Sequence, residues 1–112
     1  MKKIECIIRP EKLEEVKAAL DKCGVHGLTV THVMGCGQQK GRTEVYRGIE
    51  LNINLLPKIK IEIVAKDSDV DKIVEAVANT ARSGKIGDGK IFVYEIAEAI
   101  RIRTGEKGDT AI

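Results

Sequence analysis

Pro57-Lys58-Ile59-Lys60-Ile61-Glu62-Ile63-Val64-Ala65-Lys66 alternates more cleanly than any other stretch of this chain. Ile59, Ile61, Ile63 and Ala65 share one side of an extended segment. Lys58, Lys60, Glu62 and Lys66 share the other, interrupted only by Val64. A period of two with one apolar side predicts a strand with one buried face. Asp67-Ser68-Asp69 then offers helix caps, and Val70, Ile73, Val74, Val77 and Ala81 recur at helical spacing.

The same strand-then-helix unit stands at the start of the chain. Residues 2–9 alternate, with Ile4, Cys6 and Ile8 on one face and Lys3, Glu5 and Arg9 on the other. Pro10 ends that strand and can open a helix, because a first turn tolerates proline. Leu13, Val16 and Leu20 then fall at helical spacing between Glu11 and Lys22, and Gly24 marks the stop. Residues 25–35 alternate again, residues 90–96 form a final strand, and Ile100 with Ile102 suggests a short extended segment after it. The order β-α-β-β-α-β predicts an α+β, ferredoxin-like fold, an antiparallel sheet with two helices on one face. Its uncovered face would carry Lys3, Glu5, Ile7, Thr29, Glu62 and Val64. A mixed face of that kind is completed by a neighbouring subunit more readily than it is left in water, so a homo-oligomer is expected.

With 112 residues, 43% of them apolar and 32% charged, the chain has the size and balance of a single soluble domain. No apolar run approaches the ~20 residues that span a bilayer, and Met1-Lys2-Lys3 leads straight into a strand, so the expected compartment is the cytoplasm. Cys6, Cys23 and Cys36 are widely spaced, without a C-x-x-C pair, and read as reduced thiols. A net charge of +2 and only Tyr46, Phe92 and Tyr94 as aromatics argue against a nucleic-acid surface.

Two segments carry chemistry. Gly84-Lys85-Ile86-Gly87-Asp88-Gly89-Lys90 puts three glycines and two lysines between a helix and a strand. Such a turn can aim backbone N–H groups and positive charge at one anion. Arg101 and Arg103, at alternate spacing, would point the same way in an extended segment and add bidentate anion donors. The second segment, Cys36 to Leu56, is much longer than the 2–5 residues of a common hairpin. It has no sustained period until Glu50-Leu51-Asn52-Ile53-Asn54-Leu55, and it reads as a protruding functional loop.

Taken together, these residues resemble the PII family of nitrogen-regulatory signal-transduction proteins over the whole length. The likeness lies in Ile7-Ile8-Arg9-Pro10, Gly27-Leu28-Thr29-Val30, Gly35-x-Gly37-x-Gln39-Lys40-Gly41 and Glu44-x-Tyr46-Arg47-Gly48. It continues in Leu56-Pro57-Lys58-x-Lys60-x-Glu62, Arg82-x-Gly84-Lys85-Ile86-Gly87-Asp88-Gly89-Lys90 and Ile100-Arg101-Ile102-Arg103-Thr104-Gly105. The resemblance implies a single domain over 1–112, a T-loop at about 37–55, a flexible tail at about 105–112, and a homotrimer. Clefts between neighbouring subunits would bind ATP or ADP competitively, with 2-oxoglutarate beside Mg-ATP.

Nucleotide contacts are implied at Ile7, Thr29, Gly35, Gly37, Gln38, Glu62, Val64, Gly87, Asp88, Gly89 and Lys90. Arg101 and Arg103 would come from the adjacent subunit. Gln39, Lys40, Gly41, Lys58 and Gly87 are the implied 2-oxoglutarate contacts, and Gln39 the Mg²⁺ ligand. Tyr46, Arg47 and Gly48 match the loop tip that docks on an ammonium transporter or on nitrogen-assimilation proteins. Any tie to the membrane would run through such a channel. The protein is expected to be a sensor and not an enzyme, since the glycine turn lacks the G-x-x-x-x-G-K-[ST] spacing and has no paired general base.

The chain departs from the family pattern in four places. Leu51 replaces the tyrosine that many relatives uridylylate, and Ile49 replaces a serine phosphorylated in others, so both modifications are expected to be absent there. Gln38 stands where many relatives have arginine, which removes a phosphate contact. Cys36 occupies a position that is often bulky, and is read as a packing residue.

Overall fold

The computed structural model describes residues 1–37, 43–46, 49–52 and 55–112. β1 (Lys2–Ile8) lies inside a four-stranded antiparallel sheet, paired on one edge with β5 (Leu56–Ala65) and on the other with β6 (Gly89–Glu95). β2 (Thr29–Gly35) pairs the far edge of β5, giving the order β2-β5-β1-β6. α1 (Leu13–Lys22) and α2 (Val70–Ala81) link the strands in the expected split βαβ manner. The α+β reading and the antiparallel sheet therefore hold.

Register explains the core. Cys6 stands opposite Ile61 on one side and Ile91 on the other, and Ile4 stands between Ile63 and Val93. Side chains of one parity fall on one face, so Ile4, Cys6, Ile8, Ile59, Ile61 and Ile63 are all essentially buried. Val16 and Leu20 of α1, with Val70, Ile73, Val77 and Ala81 of α2, close over them. Each fully buried aliphatic side chain contributes ~1.5–3 kcal/mol relative to exposure, which is why the period-two and helical stripes dictate this layering. Burial pushes the Cys6 thiol up to about 11, so it remains a protonated core residue.

Four local readings need correction. Pro10–Lys12 is a turn of 3-10 helix, and the α-helix starts at Leu13 rather than at Glu11. Asp67–Asp69 is a second 3-10 turn whose side chains cap nothing; the Asp67 carboxylate instead accepts the Met1 ammonium. The long connection is not patternless before residue 50, because β3 (Thr43–Tyr46) and β4 (Ile49–Asn52) form an antiparallel ribbon. Ile100 to Arg103 is not extended: Ile100 bridges Lys107 and residues 102–104 form a turn closed by Gly105 N–H donating to the Arg101 carbonyl, 2.8 Å. Within the expected tail at 105–112, Lys107 makes that bridge and Gly108–Ala111 forms a 3-10 turn.

Two glycines of the 84–90 turn are required for different reasons. At Gly89, φ is +105° and an added Cβ would lie 1.7 Å from the Ile7 carbonyl oxygen. At Gly84, φ is +89° but an added Cβ meets nothing within 4 Å. Gly84→Ala should therefore cost only ~1–2 kcal/mol of left-handed strain. Gly89→Ala must also push β6 off β1, and should cost ~3 kcal/mol or more. Urea unfolding of the two variants checks this, and equal losses would contradict the close approach.

Candidate functional site

The turn from Ser83 to Lys90 is built around one carboxylate. Asp88 Oδ2 accepts the backbone N–H groups of Ser83 and Gly84, each at 2.8 Å. Its Oδ1 accepts the Ser83 hydroxyl and, at 3.1 Å, Arg9 Nε. Arg9 Nη2 also donates to the Ile86 carbonyl at 2.7 Å, and Lys58 Nζ donates to the next carbonyl, Gly87, at 2.8 Å. The end of β1, the start of β5 and the exit of α2 thus converge on one short turn. The Arg9 and Asp88 side chains are only 15% and 22% exposed, so their pairing is less screened than that of an ordinary surface pair.

The donors act on the charge states in opposite directions. The Ser83 hydroxyl, then the Ser83 and Gly84 N–H groups and Arg9, hold the Asp88 carboxyl well below the usual carboxylate range against some desolvation. Lys58 is lowered from its ordinary value, first by burial and then by the Arg9 charge, with Glu11 and Asp88 opposing.

Beside the turn opens a cleft of about 830 Å³. Ile7 enters it from β1, Gly35 from the end of β2, and Cys36 and Gly37 from just beyond. Lys58 comes from β5, and Gly87, Asp88, Gly89 and Lys90 come from the turn and β6. Among the described residues, four lysines, 58, 60, 85 and 90, line it against the carboxylates Glu5 and Asp88. The cleft can accommodate an anion of small-metabolite size, with lysine charge and backbone donors together.

The other expected contacts lie elsewhere. Thr29 stands opposite Glu62 across β2 and β5, on the open sheet face, with Val64 one step further along that face, opposite Lys3. These three do not border the cleft. Arg101 and Arg103 sit in the hairpin after β6, also outside it, and Arg101 pairs with Glu106 at 3.3 Å. Gln38, Gln39, Lys40, Gly41, Arg47 and Gly48 lie outside the described residues. Tyr46 is placed only as the last residue of β3, opposite Ile49.

Sequence reasoning gave no contact to Arg9, Ser83 or Lys60, and took Lys85 only as charge within the glycine turn. Arg9 and Lys60 could have been found, because alternation sets each on the open face beside Ile7 and Lys58. Ser83 carried no such signal, since its partner lies across the turn.

A family model described as nitrogen regulatory protein P-II matches residues 1–106. Nitrogen regulatory protein P-II of Rhodospirillum rubrum is 59% identical over 112 residues, covering 100% of both chains. Nitrogen regulatory protein P-II of Pasteurella multocida is 56% identical and nitrogen regulatory protein P-II 1 of Escherichia coli 57% identical, each with the same full coverage. The chain belongs to the P-II family. P-II relatives are named as regulators, which fits a non-enzymatic role. Among the described residues, no helix is long and apolar enough to cross a membrane, and no group of three or more His, Cys, Asp or Glu side chains is placed to hold a metal ion.

A depressed carboxyl pKa contributes stability that is present above the ordinary aspartate value and lost as pH falls through the lowered one. The Asp88-centred turn of this P-II protein should therefore survive acidification through 3.8, the ordinary value. Carboxyl ¹³C shifts against pH, read with the Ser83 and Gly84 amide shifts, check it. Titration of Asp88 at the ordinary value would refute the hydrogen-bond assignment.

Proposed function

We propose that this P-II protein is a trimeric sensor that binds ATP or ADP and 2-oxoglutarate and reports their occupancy to partner proteins through the loop at about 37–55. The observation that carries this reading is the cleft over the Asp88-centred turn, where lysines and glycine-rich backbone meet with little uncompensated negative charge. Phosphate oxygens would face Lys90 and the backbone N–H groups of Gly87 and Gly89. Charge-assisted hydrogen bonds contribute ~1.5–3 kcal/mol each, so a few suffice for micromolar binding after ordering costs.

Lys58 would meet the distal carboxylate of 2-oxoglutarate. Its lowered pKa supports that role, because an arriving anion offsets the burial and the Arg9 charge that disfavour the ammonium. The described cleft offers cations and N–H donors, and its Asp88 carboxylate is already engaged. None of these groups ligates Mg²⁺, so the metal would enter with the ligands' own oxygens and be held from this chain by Gln39. Mg²⁺ would supply charge between the polyphosphate and 2-oxoglutarate, making their binding mutually favourable.

Assembly as a homotrimer is supported by the surface. On β6, an edge strand, Phe92, Val93 and Tyr94 are all more than two-fifths exposed, and Ile102 at the nearby hairpin is 99% exposed. A neighbouring copy would cover them and bring Arg101 and Arg103 to the cleft. Tyr46, Arg47 and Gly48 are the proposed contact with an ammonium transporter or nitrogen-assimilation proteins.

Calorimetry with size-exclusion light scattering tests the reading. A trimer should bind ATP and ADP competitively, and bind 2-oxoglutarate tightly only with Mg-ATP present. Lys58→Ala should weaken 2-oxoglutarate at least about tenfold, the loss of one charged hydrogen bond, and ATP by a smaller factor through the freed Gly87 carbonyl. A monomer without affinity for either nucleotide would overturn it.

A further inference from the structure

Arg9, Ser83 and Asp88 form a network that no expected ligand contact explains as a set. Arg9 is fixed at both ends of its fork, on Asp88 Oδ1 at 3.1 Å and on the Ile86 carbonyl at 2.7 Å. Ser83 Oγ donates to Asp88 and accepts the Lys85 N–H at 3.2 Å. Lys58 holds the Gly87 carbonyl at 2.8 Å. Two successive carbonyls, Ile86 and Gly87, are thus each held by a cation.

That arrangement has a consequence for the backbone. Among the described residues all peptide bonds are trans, so the N–H of each peptide unit in the turn points opposite to its carbonyl. The unit joining Ile86 to Gly87 has its oxygen on Arg9, so the Gly87 N–H is turned away from Arg9. The unit joining Gly87 to Asp88 has its oxygen on Lys58, so the Asp88 N–H is turned away from Lys58. The carbonyl dipoles, which would repel an anion, are thus each occupied by a cation, and the two peptide units are held in fixed orientations.

We propose that Arg9 and Ser83 are positioning residues, acting through Asp88 to preorganise the 84–90 turn for a phosphate-bearing ligand. They need not touch that ligand. Their effect is to order the turn before binding, so that the ordering is not charged against affinity. This rests on the nucleotide reading above and adds to it two residues acting behind the phosphate contacts. Ser83 is the informative position, because it lies in the exposed turn and outside the buried core.

Ser83→Ala removes the hydroxyl bond to Asp88 and leaves both N–H bonds, and Ser83→Thr retains a hydroxyl. In the intact oligomer, Ser83→Ala should weaken ATP about tenfold, the worth of one hydrogen bond to a charged acceptor, and Ser83→Thr should restore most of it. Amide hydrogen exchange should quicken at residues 84–90 of free Ser83→Ala, return to the wild-type rate when ATP is bound, and stay unchanged in β1 and β5.

A merely structural role would instead quicken exchange across the whole sheet and lower the thermal midpoint, and that result overturns the proposal. So would wild-type ATP affinity with wild-type exchange in Ser83→Ala. Failure of the wild-type protein to bind ATP or ADP would sink the nucleotide reading and the ligand half of this one. The exchange pattern would then still decide whether the network orders the turn.

Discussion

The carbonyl of Ile7 and the missing side chain of Gly89 set the constraint on which fold and site both depend. β6 crosses β1 so closely there that any Cβ would overlap the Ile7 backbone. Sliding β6 by one residue would bring Asp88 or Lys90 to that crossing, and neither can occupy it. The same slip would turn Ile91 and Val93 away from Cys6 and Ile4. One steric exclusion therefore locks the register that fills the core, and it also fixes where Asp88 and Lys90 stand at the strand's mouth.

Electrostatics then settles what the mouth can hold. Asp88 sits among lysines and would ordinarily weaken their pull on an anion. Its two oxygens are instead taken by Arg9, by the Ser83 hydroxyl and by two backbone N–H groups. Glu5, the other carboxylate bordering the cleft among the described residues, accepts the Tyr94 hydroxyl at 3.2 Å, and the Lys3 ammonium lies 4.6 Å from that ring's centre. Both negative groups are thus already engaged with neighbours, and the lysines dominate the local field. A carboxylate that builds the backbone turn does more for anion binding than its removal would, because an unbuilt turn has no fixed N–H groups to offer.

Legibility in the sequence followed the range of the interactions. β5 and α2 were readable because their burial is one-sided, and one-sided burial leaves a period. The caps at Asp67–Asp69 failed because a chain terminus 66 residues away takes the Asp67 carboxylate, and no local rule can see it. Ile100 to Arg103 alternates like a strand, yet Gly105 closes it into a turn. That glycine was a usable signal and outweighs a four-residue alternation. The pairing of Thr43–Tyr46 with Ile49–Asn52 escaped because four residues are too few to establish a period. In the site, Lys58, Gly87, Gly89 and Lys90 share one cleft as their spacing and the family likeness suggested. Ser83 stayed hidden because its role is set by the fold of the turn and by no pattern around it.

The division of the expected contacts between two regions has a physical consequence. Thr29, Glu62, Val64, Arg101 and Arg103 stand away from the cleft of their own chain. On the proposed assembly Arg101 and Arg103 complete a neighbour's site, and a ligand in that site bridges two chains. Such a ligand binds the assembled form and not the separated one, so its binding free energy adds to the cohesion of the interface. The exposed apolar strip on β6 supplies cohesion that is indifferent to ligand, whereas the arginine contacts exist only for an anion. An interface with both kinds of contact remains closed when empty and tightens when filled. That difference is what a sensor needs, because only an interaction that depends on the ligand can bias the loop leading out of the same cleft at Gly35 to Gly37.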